Sequence, residues 1–338
     1  MTSCMYARAA RLLPGHVSTY PPEEVTSRSP EEVDPRDVGL TPESVEAIWR
    51  SVVTWYGRAL QPGIGICVRR RGQVVLDRAI GHARGNGPGA RANGPKLPAT
   101  PATLWNLFSA SKCVTAMLIH FLDDRGLLHL DDAVCEYIPE FAARGKHNVT
   151  IRHVLTHRSG IPAVPGQKAD LDLITNPEEI MRLICDVKPQ SVAGRRLAYH
   201  ALSGGFVLAE IVRRVTGKDV RELLRDEVRE PLGLASFDYG VPEDLVSQVA
   251  EHVFTGPNPV FPYSWFLKRA LGVDIREAVS LSNDRRYKTG IIPSGNIIST
   301  ARDVTTFFEM LLREGTLNGA KVFDPRTVRR AIAEQTYL

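Results

Sequence analysis

The sequence feature that most restricts the fold is one strong β-hairpin in a chain whose other patterns are mostly helical. Residues 63–70 and 73–80 are rich in apolar and β-branched side chains, and Arg71 and Gly72 form the turn between them. An isolated two-stranded hairpin is only marginally stable in water. Apart from a short candidate strand at 321–323, the sequence shows no further partner. We therefore expect that helices cover the hairpin or that its partner strands are missing.

Four amphipathic helices are predicted from apolar side chains at helical spacing. They span about 41–58, 109–124 and 203–216, and the fourth begins after the capping pair Ser299 and Thr300. The predicted inward faces are Val45, Ile48, Trp49 and Val52; Val114, Met117, Leu118, Phe121 and Leu122; Phe206, Val207, Leu208, Ile211, Val212 and Val215; and Val304, Phe307, Phe308, Leu311 and Leu312.

Composition excludes several classes of protein. With 338 residues, 43% hydrophobic and 24% charged, the chain has room for one large or two ordinary globular domains. Its net charge of +4 is small and scattered, which argues against a nucleic-acid partner. No apolar run approaches the roughly 18 residues of a spanning helix, and the first residues show no apolar stretch of signal-peptide length. Five cysteines without a CxxC pair indicate reduced thiols, so we predict a cytoplasmic protein.

The first chemically suggestive motif is the S-x-x-K formed by Ser109 and Lys112 at the start of a predicted helix. Residues three apart lie on one helix face, so the amine can reach the hydroxyl. A buried lysine can lose its proton and act as the base that a nucleophilic serine needs. The alternative is a helix-capping serine beside a solvated lysine, and this motif alone does not separate the two.

Four separated phrases, taken together, resemble the β-lactamase-like serine hydrolases. This superfamily contains class C β-lactamases, penicillin-binding DD-peptidases and related carboxylesterases, and the resemblance runs in the family's order from about residue 41 to the end. The phrases are TLWNLFS at 103–109, VLTHRSGIP at 154–162, LAYHALSGG at 197–205 and PSGNIISTARD at 293–303.

The resemblance implies a fold and a set of roles. The fold is an α/β lobe plus an all-α lobe of the β-lactamase/transpeptidase type, with an antiparallel sheet flanked by helices and the site between the lobes. Ser109 becomes the acylated nucleophile, and Lys112 becomes its proton partner. Tyr199 becomes the acid or base that passes the proton to the leaving group, its phenolate favoured by the nearby ammonium. Neither a metal nor an organic cofactor is implied.

Domain boundaries follow from the same resemblance. We predict a loosely structured leader at 1–40, an α/β lobe formed by 41–130 and 291–338, and a helical lobe at 131–290. The family's third motif, a Lys/His-x-Gly strand, would follow the phrase that ends at residue 303, and the sequence stops at Leu338. We therefore expect a C-terminally shortened member that lacks the last strands of the sheet and one oxyanion donor.

Two departures from the family pattern bear on the substrate. Ala201 stands where β-lactamases and peptidases usually carry an asparagine that holds the substrate's amide, which favours a small-molecule ester as substrate. We predict that His200 and Ala201 contact substrate, with a surface or packing role for His200 as the alternative. Lys288-Thr289-Gly290 matches the third motif in letters, but it precedes the 293–303 phrase, and we interpret it as a coincidence in a solvated loop.

Other functions stay open at this stage. They are a β-lactamase or DD-peptidase, a binding protein that acylates slowly and signals, and either an inactive remnant or a partner chain that another polypeptide completes. A zinc site at His153 and His157 is disfavoured because Val154 replaces the glutamate of HExxH. The irregular insert 255–290 contains an aromatic run, 261–267, that either receives an acyl chain or simply packs. The sequence does not indicate an oligomeric state.

Overall fold

The computed structural model describes residues 15–91, 94–163 and 171–335. Its backbone contacts separate two compact units. Unit 1 contains Met1–Trp105, Ser247–Val260 and Ser299–Glu309, and unit 2 contains Asn106–Val246, Phe261–Ile298 and Met310–Leu338. This division places 106–130 and 310–338 in the second unit, whereas the predicted division placed them in the α/β lobe.

Among the described residues, most strands lie before residue 107 and most helices after it. In chain order, the strands are β1 (Thr26–Arg28), β2 (Gly63–Arg70), β3 (Gln73–Arg84), β4 (Leu97–Pro98), β5 (Trp105–Asn106), β6 (Phe237–Tyr239), β7 (Ile297–Ser299), β8 (Thr316–Leu317) and β9 (Ala320–Lys321). The α-helices are α1 (Pro22–Val25), α2 (Pro42–Tyr56), α3 (Ser111–Asp124), α4 (Val134–Tyr137), α5 (Ile151–Leu155), α6 (Leu171–Ile174), α7 (Pro177–Asp186), α8 (Ser203–Thr216), α9 (Val220–Leu224), α10 (Tyr263–Leu271), α11 (Ile275–Ser282), α12 (Arg285–Thr289), α13 (Ala301–Leu312) and α14 (Pro325–Ile332).

The predicted hairpin is confirmed in unit 1. β2 and β3 pair antiparallel, with Val68 opposite Leu76 and a bulge just after Val68. Arg71 and Gly72 both have positive φ, 52° and 83°, as the tight turn of a two-residue hairpin requires. β3 also pairs with β1 and β4. The sheet therefore has four strands, with the order β1-β3-β2 and with β4 as a further partner of β3.

The N-terminal segment supplies a strand that composition did not predict. The leader was expected to be loosely structured over 1–40, but within its described part, 15–40, Thr26 to Arg28 pair in register with Ile80 to Arg78. Val38 is 3% exposed in the core of the unit. Three residues of strand carry no alternating pattern that could separate them from a loop. The further expectation of a shortened C-terminus stays a prediction.

Helix α2 packs on this sheet through one apolar stripe. Thr41 caps it, its hydroxyl accepting from the Ser44 amide, and the buried residues are spaced i, i+4, i+7 and i+11. They are Val45, Trp49, Val52 and Tyr56. Ile48 was predicted to face inward, but it is 38% exposed because it lies at the edge of that stripe.

Helices α3 and α8 carry the core of unit 2. The predicted inward residues of α3, from Val114 to Leu122, are all buried, although the helix begins at Ser111 rather than at Ser109. Helix α8 has the predicted bounds and ends at Gly217, whose φ of 74° is the left-handed conformation of a C-terminal cap. The two helices contact each other. Unit 2 also contains most of a small sheet of order β5-β7-β6.

Helix α13 begins where it was predicted, with the Thr300 hydroxyl accepting from the Asp303 amide. Its inward face differs from the prediction. Phe307 and Met310 are fully buried, whereas Phe308 and Leu312 are 45% and 79% exposed. The segment from Val304 to Leu312 contains more hydrophobic residues than one helix face holds, so the pattern does not say which of them are buried.

Two further observations concern membrane-spanning helices and disulfide bonds. None of the helices among residues 15–91, 94–163 and 171–335 has both the length and the hydropathy that crossing a bilayer needs. Cys67, Cys113, Cys135 and Cys185 are free thiols, and Cys4 lies outside the described residues.

Candidate active site

The candidate nucleophile lies on a tight turn directly before a helix. A 3₁₀ turn, Phe108–Ala110, leads into α3 without a break, and Phe108 has a positive φ of 47°. The Leu107 amide donates to the Ile297 carbonyl at 2.8 Å, which holds the turn against β7. Ser109 is exposed, so its hydroxyl can be approached by a substrate.

Lys112 and Tyr199 both meet the hydroxyl of Ser109. Lys112, one turn further along, donates from Nζ to Ser109 Oγ at 3.1 Å. The Tyr199 hydroxyl, ninety residues away in sequence, donates to the same oxygen at 2.6 Å. The ammonium also lies 5.0 Å from the centroid of the Tyr199 ring. All three residues belong to unit 2.

The segment 293–297 is hydrogen-bonded along one side of α3. Lys112 Nζ donates to the Ser294 carbonyl at 2.9 Å. The buried Ser111 hydroxyl accepts from the Ile297 amide at 2.9 Å, and the Thr115 hydroxyl donates to the Pro293 carbonyl at 2.6 Å. Two acceptors, one from Ser109 and one from Ser294, therefore fix the direction of the amine.

Gly205 on α8 keeps space for this segment. A Cβ at residue 205 would lie 2.2 Å from Ser294 Oγ and 2.8 Å from the Ser294 amide nitrogen. Backbone must move to relieve such a contact, so we expect Gly205→Ala to lower the free energy of unfolding by about 1–3 kcal/mol. Because Ser294 holds Lys112, we also expect a loss of hydrolytic activity. Thermal melting and an ester assay measure the two effects.

The neighbouring glycine provides the control for that prediction. A Cβ at residue 204 would have its nearest neighbour at 3.5 Å, an ordinary contact, and alanine is a better helix former than glycine. Gly204→Ala should therefore melt at or above the temperature of the parent chain. If Gly205→Ala and Gly204→Ala melt alike, the close approach of α8 to Ser294 is not a constraint.

Two histidines lie behind Tyr199. The His157 carbonyl accepts from the Ala198 amide at 3.0 Å, and the His157 ring lies 5.0 Å from the Tyr199 ring. The His200 amide donates to His157 Nδ1 at 3.1 Å, so that nitrogen acts as an acceptor. His200 Nδ1, 3.2 Å from the same atom, then carries the proton, and His200 Nε2 accepts from the Ser159 hydroxyl at 2.7 Å.

His200 and Ala201, the two predicted substrate contacts, differ in burial. His200 is only 1% exposed and is bonded on both ring nitrogens, so it packs below Tyr199, which corresponds to the packing alternative for this residue. Ala201 is half-buried. A contact of Ala201 with substrate stays a prediction.

Burial shapes the electrostatics of the cluster. It lowers the pKa of Lys112, and the hydrogen bond and charge of Tyr199 partly oppose that shift. It also lowers the pKa of His157, with the charge of Lys112 adding to the effect. For His200, burial is again the main cause and brings the pKa to about 4. Both histidines are neutral at pH 7, and Lys112 releases its proton more easily than a solvated lysine does.

The remaining motifs of the sequence lie elsewhere. Lys288-Thr289-Gly290 was expected in a solvated loop, and this is wrong: Lys288 and Thr289 end helix α12, and Lys288 is 2% exposed. It is not in a strand. Among the residues that the structure describes, no group of three or more His, Cys, Asp or Glu side chains could hold a metal ion.

Several residues that build the site were not predicted. Ser294 contributes its backbone carbonyl, which has no signature in residue type, and Ser111 and Thr115 are buried polar residues inside a helix that was interpreted only by its apolar face. The one available signal was the 293–303 phrase, in which Pro293 and Gly295 flank Ser294 and indicate a backbone of unusual conformation.

The geometry and the fold together define a class. A mixture of helices and antiparallel sheet, with an S-x-x-K lysine and a tyrosine on one serine oxygen, is a fold of the β-lactamase/transpeptidase type. In agreement with this, the family model described as Beta-lactamase matches residues 54–336. The chain belongs to the beta-lactamase family.

Individual relatives support the same placement. The chain is 31% identical over 235 residues to Esterase/beta-lactamase LipL of Mycobacterium tuberculosis, covering 64% of this chain and 52% of LipL. It is 28% identical over 264 residues to Esterase EstB of Burkholderia gladioli, covering 72% and 64%. The chain thus spans about half to two thirds of the length of these relatives.

A solved structure shows the similarity in three dimensions. The penicillin-binding protein homolog from Caulobacter crescentus superposes with a TM-score of 0.74 at 28% identity. The superposition covers 88% of this chain and 77% of that one.

Proposed function

We propose that this chain is a serine hydrolase that cleaves small carboxylic esters through an acyl-enzyme on Ser109. The observation that carries the proposal is that two proton-bearing groups, the Lys112 amine and the Tyr199 hydroxyl, meet on one exposed serine oxygen. A serine hydroxyl needs a neighbouring base to attack a carbonyl. Structural serines at helix starts need only a backbone donor, so this convergence favours a nucleophile.

Acylation joins Ser109 Oγ to the ester carbonyl carbon, and the serine proton passes to the Lys112–Tyr199 pair. When the tetrahedral intermediate collapses, Tyr199 returns a proton to the departing alcohol oxygen, which leaves as neutral alcohol. Ser109 lies in the 3₁₀ turn that leads into α3, and we expect its amide N–H to donate to the developing oxyanion, with the helix dipole adding to that stabilisation.

Deacylation reverses the same proton path. Water attacks the acyl carbonyl, its proton passes to Tyr199, and Ser109 Oγ leaves and regains a proton. Lys112 stays oriented throughout because the Ser294 carbonyl, a backbone acceptor, does not change its protonation state. One pair of groups therefore serves both half-reactions.

Ester rather than amide hydrolysis is favoured by residue 201. The methyl group of Ala201 has no hydrogen bond to offer a substrate amide, where peptidases and β-lactamases usually present an asparagine. The relatives LipL and EstB are both named esterases. LipL is also named a beta-lactamase, and for this reason a β-lactamase is the second candidate.

A comparison of two chromogenic substrates tests the choice. We expect the purified chain to hydrolyse 4-nitrophenyl acetate with a larger kcat/KM than nitrocefin. Faster turnover of nitrocefin would favour the β-lactamase, and stable labelling by a fluorescent penicillin without turnover would favour a slowly acylating binding protein. A folded chain with no activity and no label would favour an inactive family member.

A further inference from the structure

We infer that the ester substrate carries an anionic group, which two arginines bind in a cavity beside Tyr199. This inference rests on the proposed function, since it names the substrate class of the same site. The cavity has a volume of about 280 Å³, and Arg196, Arg269, Gln190, Ser191 and the Tyr199 side chain are among its lining residues. Its position follows from Tyr199, which lines the cavity and also touches Ser109 Oγ.

The charged side chains that line the cavity are all positive among the described residues. Its described lining residues include two arginines and no aspartate or glutamate. Neither guanidinium lies within ion-pair distance of a carboxylate in the described part of the chain. Arg269 donates to the Gln190 side-chain oxygen at 3.4 Å and lies 5.6 Å from the Trp265 ring centroid. Both are neutral partners, and they leave its charge uncompensated.

The cavity wall is preorganised by backbone bonds between two chain segments. The Ala198, Gly194 and Gln190 amides donate to the carbonyls of His157, Arg158 and Gly160. Gly160, with φ of +80°, is needed at this approach because a Cβ there would lie 2.4 Å from the Ser191 carbonyl oxygen. Arg196 is therefore presented from a segment fixed on both sides, only three residues from Tyr199.

Arg269 reaches the cavity from the opposite element. It lies on α10, and Phe266, one turn earlier on the same helix, adds an apolar surface to the lining. A group that combines a short carbon chain or ring with a terminal carboxylate or phosphate matches this surface. The carbon part can contact Phe266, and the oxyanion can accept paired hydrogen bonds from a guanidinium.

In this arrangement the reactive carbonyl of the substrate binds at Ser109, and its anionic group binds in the cavity. With its carbonyl carbon at Ser109 Oγ, one substituent of the ester extends past the Tyr199 ring into the cavity. Either the acyl or the alcohol substituent can extend in this way, so the experiment contains an ester pair for each. On the acyl side we compare mono-4-nitrophenyl glutarate with 4-nitrophenyl pentanoate, and on the alcohol side 3-acetoxybenzoate with 3-methylphenyl acetate.

The expected result is a preference for the anionic member of at least one pair. Charge-assisted hydrogen bonds to these two exposed arginines should raise kcat/KM by about tenfold, and added salt should reduce the preference. Arg196→Gln and Arg269→Gln should each lower the ratio of kcat/KM for the anionic ester to kcat/KM for its neutral counterpart. Arg195→Gln, an exposed neighbour outside the cavity lining, is the matched control and should keep the ratio.

Failure of this inference and failure of the proposed function give different results. If neutral and anionic esters are hydrolysed equally, or if the Arg→Gln variants keep the full preference, the anionic subsite is wrong and the esterase stands. If no ester is hydrolysed, the proposed function fails. Calorimetric titration of the same ester pairs then tests whether the cavity binds an anionic group. Tighter binding of an anionic ester that both Arg→Gln variants lose supports the subsite, and equal binding overturns it.

Discussion

Ser109→Ala is expected to lower kcat for 4-nitrophenyl acetate by about 10⁴-fold or more. The substitution removes the one oxygen on which Lys112 and Tyr199 converge, so no covalent intermediate can form, and neither group can substitute as nucleophile in the same geometry. What remains is binding and oxyanion stabilisation by the backbone. Steady-state release of nitrophenol, corrected for spontaneous hydrolysis, measures the effect.

The fold should survive this substitution. Ser109 is exposed, and removal of an exposed hydroxyl usually changes stability by less than about 0.5 kcal/mol, so the melting temperature should stay close to that of the parent. Ser51→Ala, which removes an exposed hydroxyl on α2, is the control and should keep full activity. If Ser109→Ala retains the parental rate, Ser109 is not the nucleophile.

Tyr199→Phe is expected to lower kcat by about 10²- to 10⁴-fold. The variant keeps the ring that packs against His157 and the Lys112 ammonium, and it removes only the hydroxyl 2.6 Å from Ser109 Oγ. Because the same hydroxyl serves both half-reactions, acylation and deacylation should slow together. Rapid mixing that follows the first turnover separately from the steady state measures the two rates.

Tyr263→Phe provides the comparison for that variant. Tyr263 is 65% exposed on α10, so loss of its hydroxyl should leave both rates unchanged. A fall in only one of the two rates for Tyr199→Phe would restrict this residue to a single half-reaction. Parental rates in both would remove it from the proton path.

The local part of the candidate site could be predicted from sequence because it depends on helix geometry alone. Ser109 and Lys112 are three residues apart, and in the 3₁₀ turn that continues into α3 this spacing brings the amine to the hydroxyl. The meeting of Tyr199 with this pair spans ninety residues and came only from the resemblance of whole phrases. The Ser294 carbonyl could not be found either way, since a backbone acceptor does not depend on residue type.

His200 shows why neighbours in sequence are poor guides to a site. Tyr199 is 44% exposed and His200 is 1% exposed, although the two are adjacent. Outside helices, successive side chains can face opposite ways. A residue next to a site residue in sequence can therefore point toward the site or away from it. The buried one is bonded to Ser159 and His157, which sequence distance alone did not indicate.

In the fold, periodic patterns predicted long elements well and short ones badly. Helix α8 and strand β2 have their predicted residues because each repeats its pattern over several turns or pairs. Strand β3 continues to Arg84, four residues beyond its predicted end at Ile80. β1, with three residues, could not be separated from a Pro- and Glu-rich loop. The exposed Ile48 and Phe308 mark the limit of apolar spacing, which identifies a helix more reliably than it identifies the residues that face inward.

The covalent state of Ser109 during turnover is the most direct test of the proposed mechanism. The chain is mixed with 4-nitrophenyl acetate, quenched in acid within the first turnovers and analysed by intact-protein and peptide mass spectrometry. We predict one added acetyl group on the peptide that contains Ser109, and none in the Ser109→Ala variant. Hydrolysis without any acyl adduct on Ser109, or an adduct on another residue that turns over at the steady-state rate, would contradict it.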